Sequence, residues 1–139
     1  MKVSVNQAVI SSDAANAAVT AAVARARELN ILVNVGVADS GGNLAAFLRM
    51  PGAFLQSIDI AIDKATTAAG FGFPTSGWQE ALPEGSLLRE GILQRPGVVA
   101  FGGGVPIKID GEVIGGIGVS GGTEEEDEQC ALAGIAALA

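Results

Sequence analysis

The spacing of apolar and polar positions divides the chain into short, regular segments. After Ser11 and Ser12, either of which can N-cap a helix, Ala18, Ala22, Val23, Ala26 and Leu29 recur on one face. A helix is expected to about Asn30. Ile31–Asp39 (ILVNVGVAD) is β-branched and apolar and reads as a strand. Asp39–Asn43 (DSGGN) is a turn, and Leu44–Met50 returns as a second strand, making a hairpin. A second helix is expected from Phe54 to Ala69, with Leu55, Ile58, Ala61, Ile62, Ala65 and Ala69 in one arc. Gly and Pro interrupt residues 70–97, which predicts short helical turns within a long functional or interface loop. Val98–Gly104, Val105–Asp110 and Glu112–Ser120 read as three further strands, with Asp110-Gly111 as a two-residue hairpin turn. A last helix follows Thr123.

The pattern predicts one α/β (α+β) domain over residues 1–139. Its antiparallel five-stranded sheet would be flanked by helices in the order α-β-β-α-β-β-β-α. Composition adds to this picture. The chain is 49% hydrophobic but only 4% aromatic, and it has 20 glycines, so the core must be built from Ala, Val, Ile and Leu. So small and apolar a chain has few polar residues with which to cover itself, and a homo-oligomer is expected. The net charge of −7, with 8 scattered basic residues, argues against a nucleic-acid partner. No apolar run reaches transmembrane length, and the first residues lack a basic segment followed by an apolar one. No membrane association and a cytoplasmic location are expected.

There is no histidine and no tyrosine. His-metal sites, Ser-His-Asp triads and His general bases are therefore excluded, and a single cysteine, Cys130, excludes an intrachain disulfide. The segment Gly116–Gly121 spells G-x-G-x-x-G, the glycine pattern of dinucleotide-binding turns. Only 18 residues follow Gly121, too few for the next strand of such a unit, and the helix after it begins with five acids, Glu124 to Glu128 with Asp127 among them. Those carboxylates suit the helix dipole and would repel a phosphate. Glycines inside a strand instead mark a bulge or the close approach of another backbone.

Lys64 is the leading chemical candidate. Its helical neighbours three and four residues away are Ile60, Ala61, Thr67 and Ala68, so no carboxylate on its own helix can pair with it. A desolvated lysine can act as a base or an imine-forming amine, and the alternative is a structural ion pair or an oligomer contact. Asp127, turned towards a core edge, is its natural counterpart and the second catalytic candidate. Arg49, before Pro51-Gly52, is a candidate clamp for a substrate carboxylate. Asp39 is a weaker substrate-binding candidate, its default role being the turn itself. Gly102, Gly103 and Gly104 could offer backbone N–H groups to an anion or oxyanion, or simply connect two strands. Ser120, without a histidine base, could only hydrogen-bond a ligand. Cys130 reads as a small helix-face residue. Phe71, Phe73 and Trp78 could roof an apolar pocket or form an oligomer contact.

Several stretches together, VADSGGNLAAFLRMPGA, SIDIAIDKATTAAGF, FGGGVPIKIDGEVIGGIGVSGG and DEQCALAG, resemble the GlcG/HbpS family, which includes the C-terminal domain of some corrinoid adenosyltransferases. The resemblance runs from about Val9 to Ala137. It implies a profilin-like fold, oligomers, haem binding in several members and a place in small-molecule catabolism. Histidine or tyrosine ligation of haem cannot be carried over, which leaves Cys130, Met50 and Lys64 as the remaining donors. The functional expectations are therefore three. The first is a metal-free enzyme doing proton-transfer chemistry (isomerisation, elimination or hydrolysis) on a small molecule, with Lys64 as base and no cofactor. The second is a noncatalytic binder of haem, corrinoid or another flat ligand. The third is a structural or accessory subunit.

Overall fold

The computed structural model describes all residues, Met1–Ala139. Ser11 caps α1 (Ser12–Glu28), its side chain accepting from Ala14 N, and Asn30 takes the left-handed conformation just beyond the helix end. β1 (Asn34–Asp39) and β2 (Leu44–Arg49) form the expected antiparallel hairpin. α2 runs over Ser57–Phe71 and ends at left-handed Gly72. The irregular stretch then holds a 3-10 turn at Thr75–Gly77, α3 (Trp78–Ala81) and α4 (Leu87–Leu93), the short helical turns that its Gly and Pro content predicts. β3 (Gly104–Ile109) and β4 (Glu112–Ser120) join through left-handed Asp110 and Gly111, and α5 (Glu124–Ala136) closes the fold.

The sheet has four strands, all antiparallel, in the order β2-β1-β4-β3. The expected fifth strand at Val98–Gly104 does not form. Its amides are taken by side chains: Val99 N donates to Thr67 Oγ1, Gly102 N to Glu124 Oε1 and Gly104 N to Thr75 Oγ1. A β-branched run whose donors are already engaged has no ladder to join.

The two faces of the sheet differ in kind. Val35, Val37, Ile117 and Val119 pack against α1 and α5, which present Ala15, Ala18, Ala22, Val23, Ala26 and Ala131, and all of these belong to one apolar core. The opposite face is almost without side chains. A Cβ on Gly118 would land on the Ala61 carbonyl, and one on Gly116 on the Ala65 carbonyl. The glycines of β4 therefore let the backbone of α2 lie directly on the sheet, the close approach that their place within a strand implies. The buried face of α2, Ala61, Lys64, Ala65 and Ala68, is rotated from the arc expected. Leu55 lies before the helix and is exposed, and Lys64 has turned inward.

Candidate functional site

Lys64 lies on α2, on the glycine face of the sheet. The missing side chain of Gly118 leaves room for the lysine stem beside β4. The stem runs to the end of the sheet, where Nζ donates to Val119 O at 2.8 Å and to Asp127 Oδ2 of α5 at 3.2 Å. Asp127 belongs to the helix on the other face, so the pair ties the two layers together around the end of β4. Lys64 is 1% exposed and Asp127 3%. The second carboxylate oxygen of Asp127 accepts from Gly122 N at 2.8 Å. Burial pulls the Lys64 ammonium below its ordinary value, an effect the Asp127 charge opposes. Burial likewise raises the Asp127 carboxyl, against the pull of Lys64 and the Gly122 N–H.

Gly103 closes the pair from above. Its φ of 125° lies in the region that side-chain-bearing residues avoid. A Cβ there would stand 2.6 Å from Lys64 Nζ and 2.6 Å from Val119 O. Gly103 O accepts from Val119 N. The glycine run is thus a lid for the ion pair, and two of its three amides, Gly102 N and Gly104 N, are committed to Glu124 and Thr75.

Phe101 sits outside this lid, with Lys64 Nζ 5.0 Å from its ring centroid. The ring is half exposed and lines a cleft of about 200 Å³ together with Ser76, Gln79, Gly102, Glu124 and Glu128. α5 frames one side of the cleft. Thr123 and Glu126 form a reciprocal cap at its start. Glu124 holds Gly102 N at 2.7 Å, and Glu128 accepts from Ser76 Oγ at 2.8 Å. The acids of the first turn do not converge to hold a metal ion.

The structure brings together Lys64, Asp127, Gly102, Gly103 and Gly104. The other candidates lie apart from them. Arg49 donates to Ala53 O at 2.8 Å and lines a separate cleft with Arg27, Leu32 and Pro51. Asp39 accepts from the amides of Gly41 and Asn43, which organise its turn and lower its pKa. Ser120 is buried beside Asn34 in the β1–β4 register. Cys130 is buried, and burial pushes its thiol up to about 11. Met50 is buried, with Val33 N 3.4 Å from its sulfur. Phe71, Phe73 and Trp78 form one aromatic cluster, with Trp78 4.7 and 5.0 Å from the two phenylalanine rings. Sequence reasoning missed Ser76, Phe101, Thr75 and the separate role of Glu124. All four act on residues more than 20 positions away or through space, so no local spacing marks them.

The family described as haem degrading protein HbpS-like matches residues 10–136. The chain belongs to this HbpS-like family. The match has nearly the extent of the resemblance read from the sequence. Among relatives, the corrinoid adenosyltransferase PduO of Salmonella typhimurium is 40% identical over 120 residues. That match takes in 85% of this chain but only 35% of PduO, so the chain spans about a third of that relative. Protein ORFY of Klebsiella pneumoniae has the same fold, with a TM-score of 0.92 and 34% identity over 99% of this chain and 96% of that one. A PduOC:heme complex matches with a TM-score of 0.84 and 37% identity, over 93% of this chain and 94% of that one. No helix is long and apolar enough to cross a membrane.

Proposed function

We propose that this chain binds a small molecule in the cleft lined by Phe101, and that the sealed Lys64–Asp127 pair behind Phe101 and the glycine lid holds that wall of the cleft in place. The observation that carries this reading is the contrast between neighbours. Phe101 is half exposed, whereas the ammonium beneath it is sealed and bonded to Val119 O and Asp127. The carboxylates of Glu124, Glu125 and Glu128 repel anions, and an aromatic face beside them suits a cation. The ligand class is therefore a small amine or a compound rich in hydroxyl donors. A volume of about 200 Å³ is small beside the roughly 300–1,000 Å³ of typical ligand pockets, so the ligand has few heavy atoms. The test is a thermal-shift titration with ethanolamine, short diamines and glycerol. A saturable shift that disappears in Phe101→Ala and in Glu124→Gln is expected. No saturable shift, or one that both variants retain, overturns the reading.

Two specific observations favour other readings. The lowered pKa of Lys64 and its place under Phe101 support an enzyme in which Lys64 is the base, with Asp127 tuning it. Proton transfer then requires Phe101 or the glycine lid to move aside. Loss of turnover in Lys64→Met, with ligand binding kept, would support it.

The PduOC:heme complex supports haem as a ligand. The residues here fit haem poorly, because the sulfur of Met50 and the thiol of Cys130 lie within the core and Lys64 is sealed. A hemin titration decides this reading, a Soret shift with a stoichiometric end point favouring it.

A further inference from the structure

The first six residues alternate strictly: Met1, Val3 and Val5 are apolar, and Lys2, Ser4 and Asn6 are polar. This is the pattern of a strand with one buried face. Here that face touches nothing: Val3 is 89% exposed and Val5 76%. The segment is tethered only at its far end, where Ser40 Oγ donates to Ala8 O and Ile10 N to Ile114 O. It leaves the body at the end of the sheet that carries the β1–β2 and β3–β4 turns. Seven extended residues span up to about 23–25 Å.

At that same end lies an apolar groove with no occupant of its own. Ile107, Ile109, Ile114, Ile135 and Leu138 line it, with a volume of about 290 Å³. Ile109 is 58% exposed. β3, beside it, is an edge strand that pairs with β4 alone. The arm carries Lys2 and no acid; Lys108 lies on the groove wall, with Asp110 and Glu112 in the adjoining turn.

From these features we infer that the N-terminal arm, residues 1–7, is an exchange arm that seats Val3 and Val5 in the Ile109–Leu138 groove of a second copy of this chain. The pairing buries an apolar strand face and an apolar groove that each chain alone leaves in water, at the cost of ordering a short arm. A groove beside an edge strand, filled by an extended segment, is a recurring mode of peptide recognition.

Cross-linking tests this directly, since Val3 and Ile109 are exposed and the native Cys130 is buried. Val3→Cys and Ile109→Cys chains are prepared separately, with different tags, then mixed and oxidised. A disulfide-linked pair carrying both tags is expected. In light scattering, the full chain should be larger than a variant lacking residues 2–7, and Val3→Glu/Val5→Glu should match the truncated form. Circular dichroism confirms that each variant is folded. The inference is overturned by a full chain that is monomeric, or by a truncated chain with the mass of the intact one. It is equally overturned if no mixed pair forms, or if a Val3→Cys/Ile109→Cys chain closes only on itself.

Discussion

Lys64 of α2 and Asp127 of α5 approach each other from opposite faces of the sheet and meet at 3.2 Å beyond the end of β4. Removing one partner leaves the other buried and uncompensated. Lys64→Met is expected to lower stability by about 3–5 kcal/mol, whereas Lys64→Met/Asp127→Leu should recover most of the loss. Urea denaturation of the two variants checks this. Equal losses in both would show that Lys64 contributes through its stem and not through the ion pair.

The same pair sets a pH dependence. The Asp127 carboxyl is raised, so its share of stability is full below about pH 4 and is lost as pH rises through its folded value. The Lys64 ammonium is lowered, so its share is full above 10.5 and is lost as pH falls through its folded value. Relative to Lys64→Met/Asp127→Leu, the parent chain should therefore lose stability as the solution leaves the acid range. It should regain stability as pH climbs towards 10.5. Denaturation midpoints of both proteins across pH check this, and parallel curves would refute it.

Glycine substitutions should separate sharply by place. Gly103→Ala meets Lys64 Nζ and a φ of 125° together, and should cost more than about 4 kcal/mol. Gly118→Ala drives its Cβ into the backbone of α2, onto the Ala61 carbonyl and Ala65 N, and should also cost more than about 4 kcal/mol by forcing α2 off the sheet. Gly91, inside α4 with nothing near it, should behave oppositely: Gly91→Ala is expected to stabilise by about 0.4–1 kcal/mol. Melting temperatures rank the three.

Cys130 should be silent to thiol reagents. Its sulfur is buried and its pKa is pushed up to about 11, so little thiolate exists at pH 8. A chromogenic disulfide reagent is expected to react only after denaturant is added. Rapid reaction of the native protein would mean that α5 opens readily.

The sequence makes legible whatever is local. Ser11 as a cap, the Asp110-Gly111 turn and the β1–β2 hairpin all follow from neighbouring residues, and all are observed. Lys64 could be singled out because its own helix offers it no acid, and that same lack points to a distant partner such as Asp127. Val98–Gly104 misled because its apolar residues favour a strand while its amides are claimed by Thr67, Thr75 and Glu124 from elsewhere in the chain. Arg49 and Asp39 are polar residues at strand ends, and the sequence alone does not distinguish a turn or loop bond from a ligand contact.

The first turn of α5 has a consequence for how the chain is made. Glu128 fastens Ser76, 52 residues earlier, and Glu124 fastens Gly102. At roughly 5–20 residues per second, a ribosome needs about 3–10 s to travel from one end of the Ser76–Glu128 bond to the other. The segment that frames the cleft thus emerges several seconds before the acids that moor Ser76 and Gly102, and the cleft closes only when α5 arrives.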